Sequence, residues 1–157
     1  MLPRRGFLSD VFDGIVARRL GVATPSLRRF DSIADSIFYA AALFAVWYLQ
    51  PSAIADRWRA LLVLVVLELA RYAFDFVKFR REASYHMWSS KLWGIALFAA
   101  FFSLLALGSD NRLVDATIYL GIVVDLEGLA ISTILPRWRS DVPSIVHALR
   151  LREIERA

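Results

Sequence analysis

The sequence has no cysteine and only two histidines, His86 and His147, in 157 residues. Without thiols there is no disulfide framework, thiolate metal site or cysteine nucleophile, so zinc ribbons, iron–sulfur clusters and cysteine catalysis are excluded. Two histidines far apart in sequence make a histidine-built metal centre improbable. Charge is scarce as well: 22% of residues are charged against 58% hydrophobic, and the mean hydropathy is +0.51. A soluble domain of this size is roughly half apolar and about a quarter charged. The balance excludes a disordered chain and points to a membrane protein, as does the aromatic load of eleven Phe, five Trp and five Tyr. Period-two alternation is missing too, which leaves an all-α architecture.

A bilayer crossing needs ~20 mostly apolar residues. Four stretches approach this: Arg28 to Gln50, Trp58 to Val77, Leu92 to Leu107 and Leu113 to Leu135. The third has no charge at all and is apolar on every side, unlike an amphipathic surface helix. Turn residues separate the stretches at Thr24-Pro25-Ser26, Gln50-Pro51-Ser52, Gly108-Ser109-Asp110-Asn111 and Pro136. The expectation is a polytopic membrane helical bundle of about four full spans, preceded by a partial helix over Phe7 to Leu20. Residues 1–136 form the membrane domain and residues 137–157 a cytoplasmic amphipathic tail.

Four spans sort the basic residues. Residues 1–29, 78–91 and 136–157 together hold fifteen of the 19 Lys and Arg, while the opposite connections hold Arg57, Arg59 and Arg112. The positive-inside rule puts the fifteen in the cytoplasm, which predicts a multi-pass inner-membrane protein. The net charge of +4 is dealt out in these interfacial clusters, so nucleic acid is not an expected partner. In the tail, Val142, Ile145, Val146, Leu149 and Ile154 recur at helical spacing with arginines between them. Such a helix suits either an anionic leaflet or a partner helix.

Chemistry concentrates in the first 35 residues. Asp10 and Asp13 stand i,i+3, and Asp31 and Asp35 stand i,i+4, so each pair projects from one helix face. The turn at Pro25 makes the two helices neighbours. Four converging carboxylates repel one another unless a cation lies between them, and hard oxygen ligands select Mg²⁺, Mn²⁺ or Ca²⁺. Gly14 and Ala17 leave a bare strip beside the acids on which a bulky ligand can approach the backbone. Arg18 at its end offers a forked donor suited to phosphate. These are the parts of a diphosphate site.

The run resembles the signature of the CDP-alcohol phosphatidyltransferases, D-x-x-D-G-x-x-A-R, eight residues, then G-x-x-x-D-x-x-x-D. Asp10, Asp13, Gly14, Ala17, Arg18, Asp31 and Asp35 occupy its positions, and Leu27 stands where the second glycine would be. The resemblance implies an enzyme of phospholipid synthesis that moves a phosphatidyl or other substituted phosphate group. The donor would be a CDP-linked alcohol such as CDP-diacylglycerol, the acceptor a small alcohol or a lipid hydroxyl, and CMP would leave. It implies Mg²⁺ or Mn²⁺ held by Asp10, Asp13 and Asp31, with Asp35 both a metal neighbour and the general base. Gly14, Ala17 and Arg18 would bind the CDP moiety, with the active site facing the cytoplasm and a homodimer as in the family. The family pattern has six spans with the first aspartate at the end of the second. The chain is therefore expected to be either N-terminally truncated or a shortened member, and a degenerate, non-catalytic relative is the alternative reading. A small transporter is a weaker one.

The remaining intramembrane charges carry two readings each. Glu68, Arg71 and Asp75 form one stripe of the second span, read as an ion pair of Arg71 with Glu68 or Asp75, or as part of an acceptor pocket. Lys91 and Arg137 are either interfacial anchors or, with Arg71, a cationic wall for a phosphate on the acceptor. Asp115, Asp125 and Glu127 invite the same split, and His86 reads as an interfacial side chain.

Overall fold

A computed structural model of the chain describes residues 25–81 and 85–155, with side chains described at Ala34 and from Ile37 onward. The expected helix over Phe7 to Leu20 lies outside the described residues. Six helices account for most of the described chain: α1 Pro25–Leu49, α2 Pro51–Ala55, α3 Trp58–Phe79, α4 Trp88–Leu107, α5 Arg112–Ile134 and α6 Ile145–Ile154. There is no β-strand among the described residues.

The chain divides into two compact units, Met1–Ala42 and Leu43–Ala157. Of the first, the described part is the backbone of α1 from Pro25, with Phe38 and Tyr39 meeting edge to face. In the second, α3, α4 and α5 form the bundle. Near the start of both α3 and α5, Arg57 reaches Asp115; near their ends, Lys78 reaches the Ser132 carbonyl. The two helices therefore run parallel, and α4 returns antiparallel between them in sequence. Pro51, expected in a turn, opens the short α2 instead, because a proline at the first helical position forfeits only an N–H that has no helical partner.

The ends are set by local chemistry. Gly108 closes α4 in the left-handed region at φ 61°, where a side chain would be strained, and the next amide, Ser109 N–H, reaches back to the Ser103 carbonyl at 2.9 Å. The Asn111 side chain then caps α5, accepting from Leu113 N–H at 2.9 Å while its Nδ2 donates to Ser103 Oγ.

Two apolar clusters hold the unit together. Val46, Ala53, Ala100, Leu104, Val114 and Ile118 pack at the end where α3 and α5 begin. Tyr85, Met87, Val124, Ile131, Leu135, Val142 and Ala148 pack at the other. The second cluster draws in the C-terminal segment, so α6 docks against the end of α5. Of the apolar residues of the tail, Val142 is buried and Ile145 packs on the cluster, whereas Val146, Leu149 and Ile154 are exposed. Helix α6 starts only at Ile145, since Pro143 keeps Val142 out of helical geometry.

Each of the four expected spans coincides with a helix over most of its length. Among the described residues α4 and α5 are long and apolar enough to cross a membrane, and Ile37–Leu49 of α1 is a shorter apolar helix. At 22 residues α3 would extend ~33 Å at 1.5 Å per residue. Its length suffices, but Arg59, Glu68, Arg71, Asp75 and Lys78 lower its hydropathy. Leu62, Val63, Val66, Leu69 and Val77 are exposed, while Arg71, Asp75 and Lys78 turn onto α5.

Candidate functional site

Asp31 and Asp35 fall on α1, one helical turn apart. Asp10, Asp13, Gly14, Ala17 and Arg18 lie outside the described residues, as do the side chains of Asp31 and Asp35. Among the described residues no group of three or more His, Cys, Asp or Glu side chains could hold a metal ion. This does not reach the aspartate motif, whose side chains lie outside the described residues. Its donor set of carboxylates without nitrogen or sulfur suits Mg²⁺ or Mn²⁺.

Arg71 is engaged across the bundle. Its Nε donates to Asp125 Oδ1 at 3.1 Å, and its guanidinium lies over the Tyr72 ring, 4.9 Å from the centroid. The partner is thus on α5, not Glu68 or Asp75 of its own helix. Gly128 makes room for the arginine: a Cβ there would stand 2.7 Å from Arg71 Cδ. Asp125 Oδ2 is buried without a hydrogen bond among the described residues.

One turn further along α3, Asp75 is fully buried and accepts a short hydrogen bond from Ser132 Oγ. Tyr85 Oη lies 2.8 Å from the same Ser132 oxygen. The serine's single proton is committed to Asp75, so Tyr85 is the donor and the three form a relay of one direction. Burial is the main cause that pushes the Tyr85 phenol above its ordinary value, which keeps it protonated as a donor. Lys78 completes this end, donating to the carbonyls of Ser132 at 2.7 Å and Thr133 at 3.1 Å. A lysine from α3 thereby satisfies carbonyls left open at the end of α5.

The other two residues of the expected cationic wall lie in different surroundings from Arg71. Lys91 is exposed, with its ammonium 4.9 Å from the Trp88 ring centroid. Arg137 lines an open cavity of about 570 Å³ with Lys78, Arg139 and Arg152. Asp115 pairs with Arg57, which also holds Asp110; both carboxylates raise the guanidinium's pKa, Asp115 most. His86 Nε2 lies 3.9 Å from Asp141 Oδ1. Sequence reasoning missed Lys78, Arg139 and Arg152 as one group. No spacing rule joins them, because the fold of the tail onto α5 brings them together.

A family model, CDP-alcohol phosphatidyltransferase, matches residues 5–128. The chain belongs to the CDP-alcohol phosphatidyltransferase family. No curated protein and no solved structure matches it. The matched segment contains the whole aspartate motif together with α1 to α4 and most of α5. Membership makes the chain one of a transferase group that acts in phospholipid synthesis and generally uses divalent metal ions. Two helices among the described residues are long and apolar enough to cross a bilayer, which together with a membrane-associated family suggests a membrane protein.

Proposed function

We propose that the chain transfers a phosphatidyl or other substituted phosphate group from a CDP-linked alcohol, such as CDP-diacylglycerol, to an acceptor hydroxyl. The observation that carries this reading is the intact set of four aspartates at Asp10, Asp13, Asp31 and Asp35 within the matched segment.

In the reaction the acceptor oxygen bonds to the phosphorus that bears the donor's alcohol, and the bond from that phosphorus to CMP breaks. Asp35 takes the acceptor's proton, and CMP leaves with the electron pair of the broken bond. Asp10, Asp13 and Asp31 would hold Mg²⁺ or Mn²⁺, which supplies charge neutralisation at the diphosphate and at the departing CMP. Arg18 offers its fork to the donor's phosphate, and Gly14 and Ala17 let the nucleotide approach the backbone. Arg71, already paired with Asp125, belongs to the framework of the bundle in this reading.

We place the enzyme in the inner membrane with α1, α3, α4 and α5 as its spans in the described chain. The polar stripe of α3 is turned inward, and the basic-rich connections are cytoplasmic. The deciding experiment presents purified protein with CDP-diacylglycerol and, in turn, glycerol phosphate, inositol phosphate, serine and a lipid alcohol, and reads CMP release. Acceptor-dependent release that disappears in Asp13→Asn is expected. Donor binding without release for any acceptor would instead favour the non-catalytic relative.

A further inference from the structure

A smaller cavity lies at the end of the bundle where α3 and α5 begin. Its charges are balanced, with Asp56 and Asp115 lining it against Arg57 and Arg59. One pairing is already made: Arg57 is held by Asp115 at 2.5 Å and by Asp110 at 2.7 Å, and it donates to the Ala53 carbonyl at 3.1 Å. Asp56 and Arg59 are left, and both are exposed. The Asp56 carboxylate makes no hydrogen bond or ion pair among the described residues, and the Arg59 guanidinium has only the Trp58 ring, 5.5 Å away at its centroid. A carboxylate and a guanidinium that line one small cavity without pairing favour a ligand that carries both signs.

The surface leading away from the cavity narrows the chemistry. From Arg59 the exposed apolar residues Leu62, Val63 and Val66 follow at i+3, i+4 and i+7; from Tyr119, which also lines the cavity, Val123 and Leu126 follow at i+4 and i+7. Residues so spaced share a helix face. Two exposed apolar stripes therefore run from one polar cavity along neighbouring parallel helices. Trp58 and Tyr119 are exposed at this end, where aromatic side chains suit a membrane interface. A polar cavity at the head of two apolar stripes matches the form of a phospholipid, one headgroup with two chains. At about 180 Å³ the cavity is smaller than the ~300 Å³ at which pockets for larger organic ligands begin, so only a small headgroup fits.

We propose that this cavity seats the headgroup of a phospholipid that bears a primary amine, such as phosphatidylethanolamine. Its phosphate meets the fork of Arg59, its ammonium meets Asp56, and its acyl chains lie along the two stripes. A quaternary ammonium has no N–H to give to Asp56, so phosphatidylcholine is held less well. The site rests on the membrane placement of α3 and α5 proposed above and not on the transferase reading, since a chain without catalytic activity would keep it.

The test uses the full chain in mild detergent with equal amounts of phosphatidylethanolamine and phosphatidylcholine, and native mass spectrometry reads which lipid is retained. Preferential retention of phosphatidylethanolamine is expected. The double variant Asp56→Asn/Arg59→Gln should weaken that retention about 10-fold or more, as loss of charged hydrogen bonds does. Its unfolding midpoint should stay close to the parent's, because neither side chain has an ion pair to lose. Arg112→Gln, at the same end of α5 but outside the cavity, should leave retention intact. The site is overturned if the parent holds both lipids equally, if the double variant retains lipid as the parent does, or if Arg112→Gln weakens retention as much. Calorimetry with soluble phosphoethanolamine tests the stripes: binding as tight as that of the lipid would overturn the assignment to a lipid. Alkaline extraction of native membranes separates the two ways of failing. A chain released by alkali overturns the membrane placement and the lipid site together, whereas a chain that stays in the membrane and shows no lipid preference overturns the site alone.

Discussion

Arg71 and Asp125 meet across the interface of two parallel helices, Nε to Oδ1 at 3.1 Å, with side chains 17% and 5% exposed. Neither charge could occupy that depth alone, and the pair fixes the register of α3 on α5.

Removing one partner strands the other. Asp125→Leu should cost about 3–5 kcal/mol of stability, the usual result of leaving a buried charge uncompensated. The double variant Arg71→Met/Asp125→Leu should recover most of the loss. Thermal unfolding in mild detergent checks both, and a stable Asp125→Leu single variant would show that water or lipid headgroups reach Arg71.

Gly121 is a packing requirement. A Cβ there would stand 2.7 Å from Trp93 Nε1 and 2.9 Å from Leu64 Cδ1, while Trp93 is tied to the Thr117 carbonyl at 3.0 Å. Gly121→Ala should destabilise by roughly 1–3 kcal/mol, as overpacking does. Gly94→Ala on α4, where a Cβ meets nothing within 4 Å, should change little in the same unfolding assay.

The aspartates of the motif should separate by role. Asp35→Asn should bind CDP-diacylglycerol nearly as well as the parent but turn over at least ~100-fold slower, the lower end of what general-base catalysis contributes. Asp13→Asn should lose donor binding and turnover together. Excess chelator should abolish CDP binding and added Mg²⁺ or Mn²⁺ should restore it. Undiminished binding in chelator would remove the metal from the reading.

Orientation can be measured directly because the sequence has no cysteine. Single cysteines placed at Ser52 or Ser109 should react with an impermeant thiol reagent added outside intact cells, and one at Ser90 should not. Labelling at Ser90 from outside would reverse the orientation.

The helices were legible in the sequence because apolar runs and turn residues alternate plainly. Leu113 to Leu135 became Arg112–Ile134, and Leu92 to Leu107 began earlier, at Trp88, since polar Ser89, Ser90 and Lys91 are accepted in the first turn of a helix. The partner of Arg71 was not legible. Spacing rules compare residues on one helix and nominate Glu68 or Asp75, whereas Asp125 arrives from another helix. The relay of Tyr85, Ser132 and Asp75 escaped for the same reason: a serine and a tyrosine in apolar surroundings carry no signal until the fold joins them. The aspartate motif is the reverse case, written wholly in local spacing and recognisable without tertiary structure.

The stripe of Arg71, Asp75 and Lys78 on α3 also bears on the order in which the chain is made. All three rely on α5 for partners, and α5 leaves the ribosome after α3. Until α5 emerges, the middle of α3 presents unmatched charge to any hydrocarbon around it, at a cost of a few kcal/mol per charge. Helix α3 therefore gains these partners for its charges only when α5 is present. Those partners lie on a segment synthesised later, toward the C-terminal side of the bundle.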